Sequence, residues 1–280
     1  MKVAVTGATG FIGRHVLSQL VSHPVNVVAV VRELSPVRSI LNDVDVVRMD
    51  LDSPPENAFD LMGKPDVLIH LAWGGLPNYR SLHHFEQELP IQYRFLRDLV
   101  RSGLPALVVA GTCFEYGMQS GRLSEAMEGH PANPYGLAKD TLRRQLGYLR
   151  ESQPFALTWA RLFYLYGDGQ AESSLLPQLK LAVEQRHRVF NMSGGEQLRD
   201  YLPVTEVAEN LVILAQNRAD MGVLNLCSGK PISVRKLVEQ WIEENGWQIK
   251  LNLGHHAYPD YEPLAFWGDR GKLDHFLASL

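Results

Sequence analysis

The segment Lys2–Thr6 is short, apolar and rich in β-branched residues, and it runs directly into Thr6-Gly7-Ala8-Thr9-Gly10-Phe11-Ile12-Gly13. Apolar residues then recur with helical spacing from Ile12 to Ser22. Strand, glycine turn and helix in immediate succession constrain the fold strongly. Gly7 permits a tight turn, Gly10 lets the backbone come close to a ligand, and Gly13 lets the helix pack on the strand. The helix start offers free N–H groups and a partial positive charge, which suits a pyrophosphate. A structural turn could use the same glycines, but their place between a strand and a helix is the context a dinucleotide-binding turn requires. Gly7, Thr9, Gly10, Phe11, Ile12 and Gly13 are therefore candidate cofactor contacts.

Further along, apolar runs alternate with helical patterns. Strands are expected at Lys2–Thr6, Val25–Val31, Val44–Met49, Val67–Leu71, Leu107–Gly111 and Ala156–Leu162, with helices near Ile12–Ser22, His84–Ser102 and Tyr135–Glu151. Runs this apolar imply parallel strands covered by helices on both faces. The expected class is α/β: a doubly wound parallel-sheet Rossmann domain with a smaller, discontinuous α/β C-terminal lobe. Residues 1–165, joined by about 200–228, would form the dinucleotide domain. Residues 166–199 and 229–280 would form the substrate lobe. Right-handed crossovers place the strand C-termini along one edge, where ligands bind.

Bulk properties remove other classes. The 280 residues carry a formal net charge of -4, which argues against a nucleic-acid or anionic-membrane partner. No apolar run approaches the ~20 residues needed to cross a bilayer. The only two cysteines, Cys113 and Cys227, sit in apolar stretches and suggest no disulfide framework, and no secretory leader precedes Lys2. A cytoplasmic protein is expected. The adjacent pairs His83-His84 and His255-His256 lack the spacing of helical zinc ligands, so no metal is expected.

Two further positions define chemistry. The second strand ends Val30-Val31-Arg32-Glu33; an acid there would bind the ribose hydroxyl of NAD, whereas Arg32 can fork onto a 2′-phosphate. NADP(H) is the preferred reading, with NAD(H) open through Glu33. Tyr135-Gly136-Leu137-Ala138-Lys139 opens a helix, so Tyr135 and Lys139 share a face. An ammonium beside a phenol lowers its pKa, which would equip Tyr135 to exchange a proton with a carbonyl oxygen. Thr112 ends the preceding strand and can donate to the same oxygen.

Taken together, these pieces resemble the extended short-chain dehydrogenase/reductases, also called the NAD-dependent epimerase/dehydratase family. The matching segments are TGATGFIG (6–13), Asp50-Leu51, HLAW (70–73), GTCFEYG (111–117), NPYGLAK (133–139), ARLFYLYG (160–167), LRDYLPVTEVA (198–208) and LNLCSG (224–229). The resemblance implies that Asp50 and Leu51 contact the adenine and that Leu71, Ala72 and Trp73 line the cofactor channel. It makes Thr112, Tyr135 and Lys139 the catalytic triad, with Tyr135 and Lys139 also touching the cofactor. It assigns Arg199 to a substrate phosphate, although an ion pair with Asp200 fits the sequence equally. It implies a nucleotide-sugar substrate and a homodimer through the helices around 84–102 and 135–151.

Within that family the segment after Thr112 discriminates. Sugar-nucleotide dehydratases carry an Asp-Glu pair there, and this chain has Cys113 and Phe114. The 3,5-epimerase/reductases place a basic cysteine two residues before the tyrosine, where Phe114 stands, so Cys113 reads as packing. What remains is hydride chemistry at one carbon. The expected reaction is NADPH-dependent reduction of a dTDP- or CDP-linked 4-keto-6-deoxyhexose, as in bacterial deoxysugar reductases that resemble the Trp73–Arg80 segment. The alternatives are a 4-epimerase with tightly bound NAD and a non-catalytic, cofactor-sensing relative. Tyr79, Arg80 and Tyr164 are candidate sugar contacts, although tyrosines can also fill the core between lobes.

Overall fold

A computed structural model describes residues 1–33 and 44–280. In chain order the elements are β1 (Lys2–Thr6), α1 (Phe11–Leu20), β2 (Asn26–Val31), β3 (Asp45–Arg48), α2 (Ala58–Leu61) and β4 (Val67–His70). Then come α3 (Leu89–Arg101), β5 (Ala106–Thr112), β6 (Gly121–Leu123), α4 (Pro134–Ser152), β7 (Ala156–Leu162), β8 (Tyr164–Tyr166) and α5 (Leu175–Glu184). The remainder is β9 (Val189–Asn191), β10 (Leu198–Pro203), α6 (Val204–Gln216), β11 (Gly222–Leu226), β12 (Pro231–Ser233), α7 (Val234–Asn245), β13 (Lys250–Asn252), β14 (Phe266–Gly268) and α8 (Gly271–Ala278).

Seven strands form one parallel sheet in the order β11-β7-β5-β4-β1-β2-β3. The order reverses between β1 and β4, and the crevice at that switch point opens at their C-terminal ends. Each face of the sheet has its own core. Val3, Val5, Ile69 and Val108 pack with Val16, Leu20, Val207 and Leu211 of α1 and α6 on one side. Ala4, Leu68, Leu107 and Trp159 pack with Phe95, Leu99, Leu142 and Leu146 of α3 and α4 on the other. This double cover explains the apolar runs. β3 departs from the expectation of two covered faces: as an edge strand it keeps Asp45, Val46 and Arg48 exposed.

The helix expected over 84–102 is broken into a π-helical turn, His84–Glu88, followed by α3. Pro90 is the physical reason. It lacks an N–H and its ring crowds the carbonyl four residues back, so the regular ladder starts only around it. The turn leaves Glu88 and Gln92 facing the crevice. Outside the large sheet, short strands, all but β6 lying beyond Leu162, pair in small sheets that the sequence pattern did not announce: β12-β10-β8, β13-β9 and β14-β6. No helix among the described residues is long and apolar enough to cross a membrane.

Candidate active site

The crevice at the switch point is a groove of about 440 Å³ lined by Thr6, Gly7, Thr9, Gly10, Arg32, Asp50, Leu51, Leu71, Ala72 and Trp73, together with Glu88 and Gln92. Gly7 takes φ +67°, and a methyl there would lie 2.7 Å from the Ala72 nitrogen. Turn and β4 end thus approach so closely that only glycine fits. Gly13 abuts the Ala8 backbone, which lets α1 lie against the turn. The first-turn N–H groups of α1 have no intrahelical acceptors; Phe11, Ile12 and Gly13 occupy that turn, behind the groove lining. This cradle fits a dinucleotide pyrophosphate. Arg32 and Arg48 lie together at the far end, where the Arg48 Nε donates to the Arg32 carbonyl at 3.3 Å. A larger cleft of about 700 Å³ elsewhere contains Arg122 and Arg270. Both already pair with acids, Asp269 for one and Glu206 and Asp274 for the other, so that cleft offers little free guanidinium charge.

At the opposite end of the groove β5 delivers Thr112 and the start of α4 delivers Tyr135 and Lys139. Asn133 caps α4, its side chain accepting from the Gly136 N–H at 2.8 Å, and Pro134 occupies the first helical position. Thr112 caps the 3₁₀ turn Cys113–Tyr116: its Oγ1 accepts from the Phe114 N–H at 3.3 Å. The hydroxyl proton is thereby left to point elsewhere, and the Thr112 hydroxyl is close enough to Tyr135 to favour its ionised form slightly, against the larger effect of burial. All three side chains are buried.

The electrostatics differ from the expectation that Lys139 lowers the phenol. Lys139 Nζ donates to the Ala110 carbonyl at 2.8 Å and sits 4.0 Å from the Trp73 ring centroid. It stands 6.0 Å from the Tyr135 ring. Burial dominates both groups. It pushes the Tyr135 phenol well above its usual range, with Tyr79 and Glu115 adding to the rise, and pulls Lys139 down to about 7 against the opposing pull of Glu115 and Glu88. Trp73 is fixed in turn: its Nε1 donates to His84 Nδ1 at 3.1 Å, and His84 Nε2 contacts the Asn78 carbonyl at 2.8 Å.

The remaining candidates divide. Tyr79 packs on Tyr135 at 5.6 Å and on Phe114 at 4.8 Å, beside the candidate catalytic residues. Arg80 pairs with Asp260 at the surface, its guanidinium 5.5 Å from the Tyr261 ring. Tyr164 and Arg199 both bond to Glu262, and Arg199 also donates to the Leu198 and Leu264 carbonyls. Its ion pair is therefore with Glu262 and not with Asp200, which accepts instead from Ser228, Gly229 and Gly268. Cys113 lies in an apolar cluster with Tyr116, Phe163 and Phe266, consistent with packing. Sequence reasoning missed Glu88, Gln92, His84, Glu115 and Glu262. Pro90 was the one local signal, since it fixes where the π turn ends. Among the described residues no group of three or more His, Cys, Asp or Glu side chains is placed to hold a metal.

A doubly wound sheet, a glycine cradle and a Thr-Tyr-Lys cluster at its end define an enzyme of the extended short-chain dehydrogenase/reductase type. The chain belongs to the NAD dependent epimerase/dehydratase family, whose model matches residues 3–227. It is 30% identical to dTDP-6-deoxy-L-talose 4-dehydrogenase (NAD(+)) of Aggregatibacter actinomycetemcomitans, over 96% of this chain and 99% of that protein. It is 26% identical to dTDP-6-deoxy-L-talose 4-dehydrogenase (NAD(P)(+)) of Kitasatospora kifunensis, over 88% and 79% respectively. Among solved structures, MoeE5 in complex with UDP-glucose and NAD superposes with a TM-score of 0.83 at 29% identity, covering 99% of this chain and 92% of that one.

Proposed function

We propose that the protein transfers hydride reversibly between a nicotinamide cofactor and C4 of a nucleotide-linked 6-deoxyhexose, acting as an NADPH-dependent reductase of the dTDP- or CDP-linked 4-keto sugar. The observation that carries this reading is that Tyr135 and Lys139 pack against Trp73 of the groove wall, with Thr112 at the end of β5 and Cys113 and Phe114 after it, where an eliminating enzyme needs an acid and a base. Bound in the groove, NAD(P)(H) supplies the hydride donor or acceptor. Thr112 and Tyr135 bracket the sugar oxygen. A buried phenol that holds its proton tightly suits the general acid of a reduction, because an alkoxide developing beside it takes that proton. Lys139, drawn down to about 7, can then restore the proton and orient the nicotinamide ribose.

Arg32, with Arg48 at its carbonyl, supports a 2′-phosphate and hence NADP(H). Asp50 and Leu51 face the adenine, and Leu71, Ala72 and Trp73 the middle of the cofactor. Tyr79, Arg80 and Tyr164 contact the sugar. Arg199 holds a phosphate by exchanging Glu262 for it. The same reading takes the protein as a cytoplasmic homodimer through α3 and α4; sedimentation checks the dimer and cell fractionation the location.

The test is to mix purified protein with NADPH and a dTDP-4-keto-6-deoxyhexose and follow the absorbance of the reduced nicotinamide. Oxidation in wild type that is lost in Tyr135→Phe supports the reading. A second reading, nucleotide-sugar 4-epimerase, is favoured by the relative that binds UDP-glucose together with NAD. No oxidation, with NAD released only on denaturation, selects it. A change in the KM ratio of the two cofactors in Arg32→Ala supports the NADP assignment, and an unchanged ratio removes it.

A further inference from the structure

Glu115 is fully buried, and it lines no part of the groove. One of its oxygens accepts from the Thr112 backbone N–H and from Trp159 Nε1, each at 2.8 Å. The other accepts from Arg161 Nε at 2.7 Å. Three N–H donors converge on one side chain, which is the pattern of a carboxylate and not of an acid or an amide. The approach depends on Gly111, where a methyl would lie 2.7 Å from that shared oxygen. Burying a charged pair is costly and is often no gain over apolar packing. Glu115 is also the reciprocal half of the capping box that joins β5 to the 3₁₀ turn, so the residue whose backbone it fixes is Thr112.

We propose that Glu115 is the positioning residue of the catalytic centre: from beneath the site it fixes the Thr112 backbone and supplies the buried negative charge that faces Lys139. The proposal rests on the catalytic reading of Thr112, Tyr135 and Lys139. Thr112 is gripped twice, its N–H by Glu115 and its hydroxyl oxygen by the Phe114 N–H, which leaves its own hydroxyl proton free for a partner on the Tyr135 side. Lys139 is faced by Glu115 from the 3₁₀ turn, by Glu88 and His84 from the π turn, by His70 from β4 and by Tyr135 from its own helix. Glu115 and Lys139 hold the end of β5 within two residues of each other, Glu115 at the Thr112 N–H and Lys139 at the Ala110 carbonyl, and the carboxylate favours the charged amine. Arg161 balances the carboxylate on its other oxygen, stacks 4.3 Å from the Tyr116 ring, and has Asp140, the neighbour of Lys139, at 3.9 Å. The glutamate is thus part of the proton economy of the site although it touches neither cofactor nor substrate.

The decisive variant is the double substitution Glu115→Gln/Arg161→Gln, because Glu115→Gln alone orphans a buried guanidinium and can fail to fold. The double variant removes both charges together and leaves two amides that can bond to each other. If Glu115 supports the amine, the alkaline limb of kcat falls by about one pH unit, and kcat drops at pH 8 more than at pH 6. The same downward move appears in the pH dependence of NADPH binding, since Lys139 touches the cofactor. Trp159→Phe, which removes a donor but no charge, keeps the wild-type limb. A folded double variant with an unmoved limb in both measurements overturns the proposal. Activity that survives in Tyr135→Phe instead overturns the catalytic reading, and the NADPH-binding limb still decides the role of Glu115.

Discussion

Replacing Gly7 and Gly10 separately by alanine divides the cradle's structural role from its binding role. At Gly7 the new methyl lies 2.7 Å from the Ala72 nitrogen and 2.8 Å from the Leu71 carbonyl carbon, both backbone atoms that cannot rotate away. An ordinary contact begins near 3.4 Å, so the turn and the end of β4 must separate by several tenths of an ångström. The φ of +67° adds about 1 kcal/mol of backbone strain, and overpacking adds about 1–3 kcal/mol. Reduced freedom of the unfolded chain returns less than about 1 kcal/mol. Gly7→Ala should therefore lose about 2–3 kcal/mol and melt about 3–5 °C lower. Gly10 has an ordinary φ of -74°, and its methyl would meet only the Gly7 carbonyl at 3.1 Å. Gly10→Ala should keep the wild-type melting temperature within about 2 °C, yet its methyl would enter the groove at the proposed pyrophosphate seat. Quenching of tryptophan fluorescence by NADPH measures the second effect, helped by Trp73 in the groove wall. Kd should rise at least about tenfold in both variants, a loss of about 1.4 kcal/mol. If Gly10→Ala binds as wild type does, the groove is not a pyrophosphate seat. An unchanged melt for Gly7→Ala would falsify the packing argument.

Three other outcomes follow from burial. The His70 imidazole is held at about 3, well below 6.5, by burial first and by the Lys139 ammonium second. The unfolded chain thus takes up a proton that the native state refuses: stability is whole above pH 6.5 and is lost as pH falls toward 3, by about 2 kcal/mol at pH 5. Urea midpoints at pH 7 and pH 5 should show this slope in wild type and a shallower one in His70→Asn. Glu262→Ala leaves Arg199, only 2% exposed, without its carboxylate. Denaturant unfolding should register a loss of about 3–5 kcal/mol, and Glu262→Gln, which keeps an acceptor, should lose less. Burial raises both thiols, so Cys113 and Cys227 should resist a thiol reagent in the native protein and titrate as two on denaturation. Rapid native labelling of Cys113 would contradict its packing role.

What the sequence disclosed was the local part of this molecule. The glycine cradle lies within eight residues and the Tyr135–Lys139 pair within one helical turn, so spacing alone conveys their geometry. Strands β1, β2, β4, β5 and β7 were visible because both faces are covered and most positions along them are apolar. β3 broke that rule at the sheet edge, and three-residue strands such as β8 and β14 are too short to carry a period. Glu115 and Glu262 were unreadable for another reason. Their partners Arg161 and Arg199 lie 46 and 63 residues away, and nothing in either neighbourhood marks them as halves of a pair. The low position of Lys139 likewise arises from an enclosure built by several segments, whereas proximity in sequence suggested only its effect on Tyr135.

The pairing of β14 with β6 also bears on how the protein comes into being on the ribosome. Six of the seven large-sheet strands precede residue 163, so a nascent chain can assemble most of the cradle early. The apolar support behind the turn that follows Thr112 is different: Cys113 and Tyr116 rest in a cluster completed by Cys227 and Phe266, which are translated much later. Glu262, which engages Arg199 and Tyr164, arrives in the same late stretch. Vectorial synthesis therefore yields a dinucleotide cradle well before it yields a finished reaction chamber.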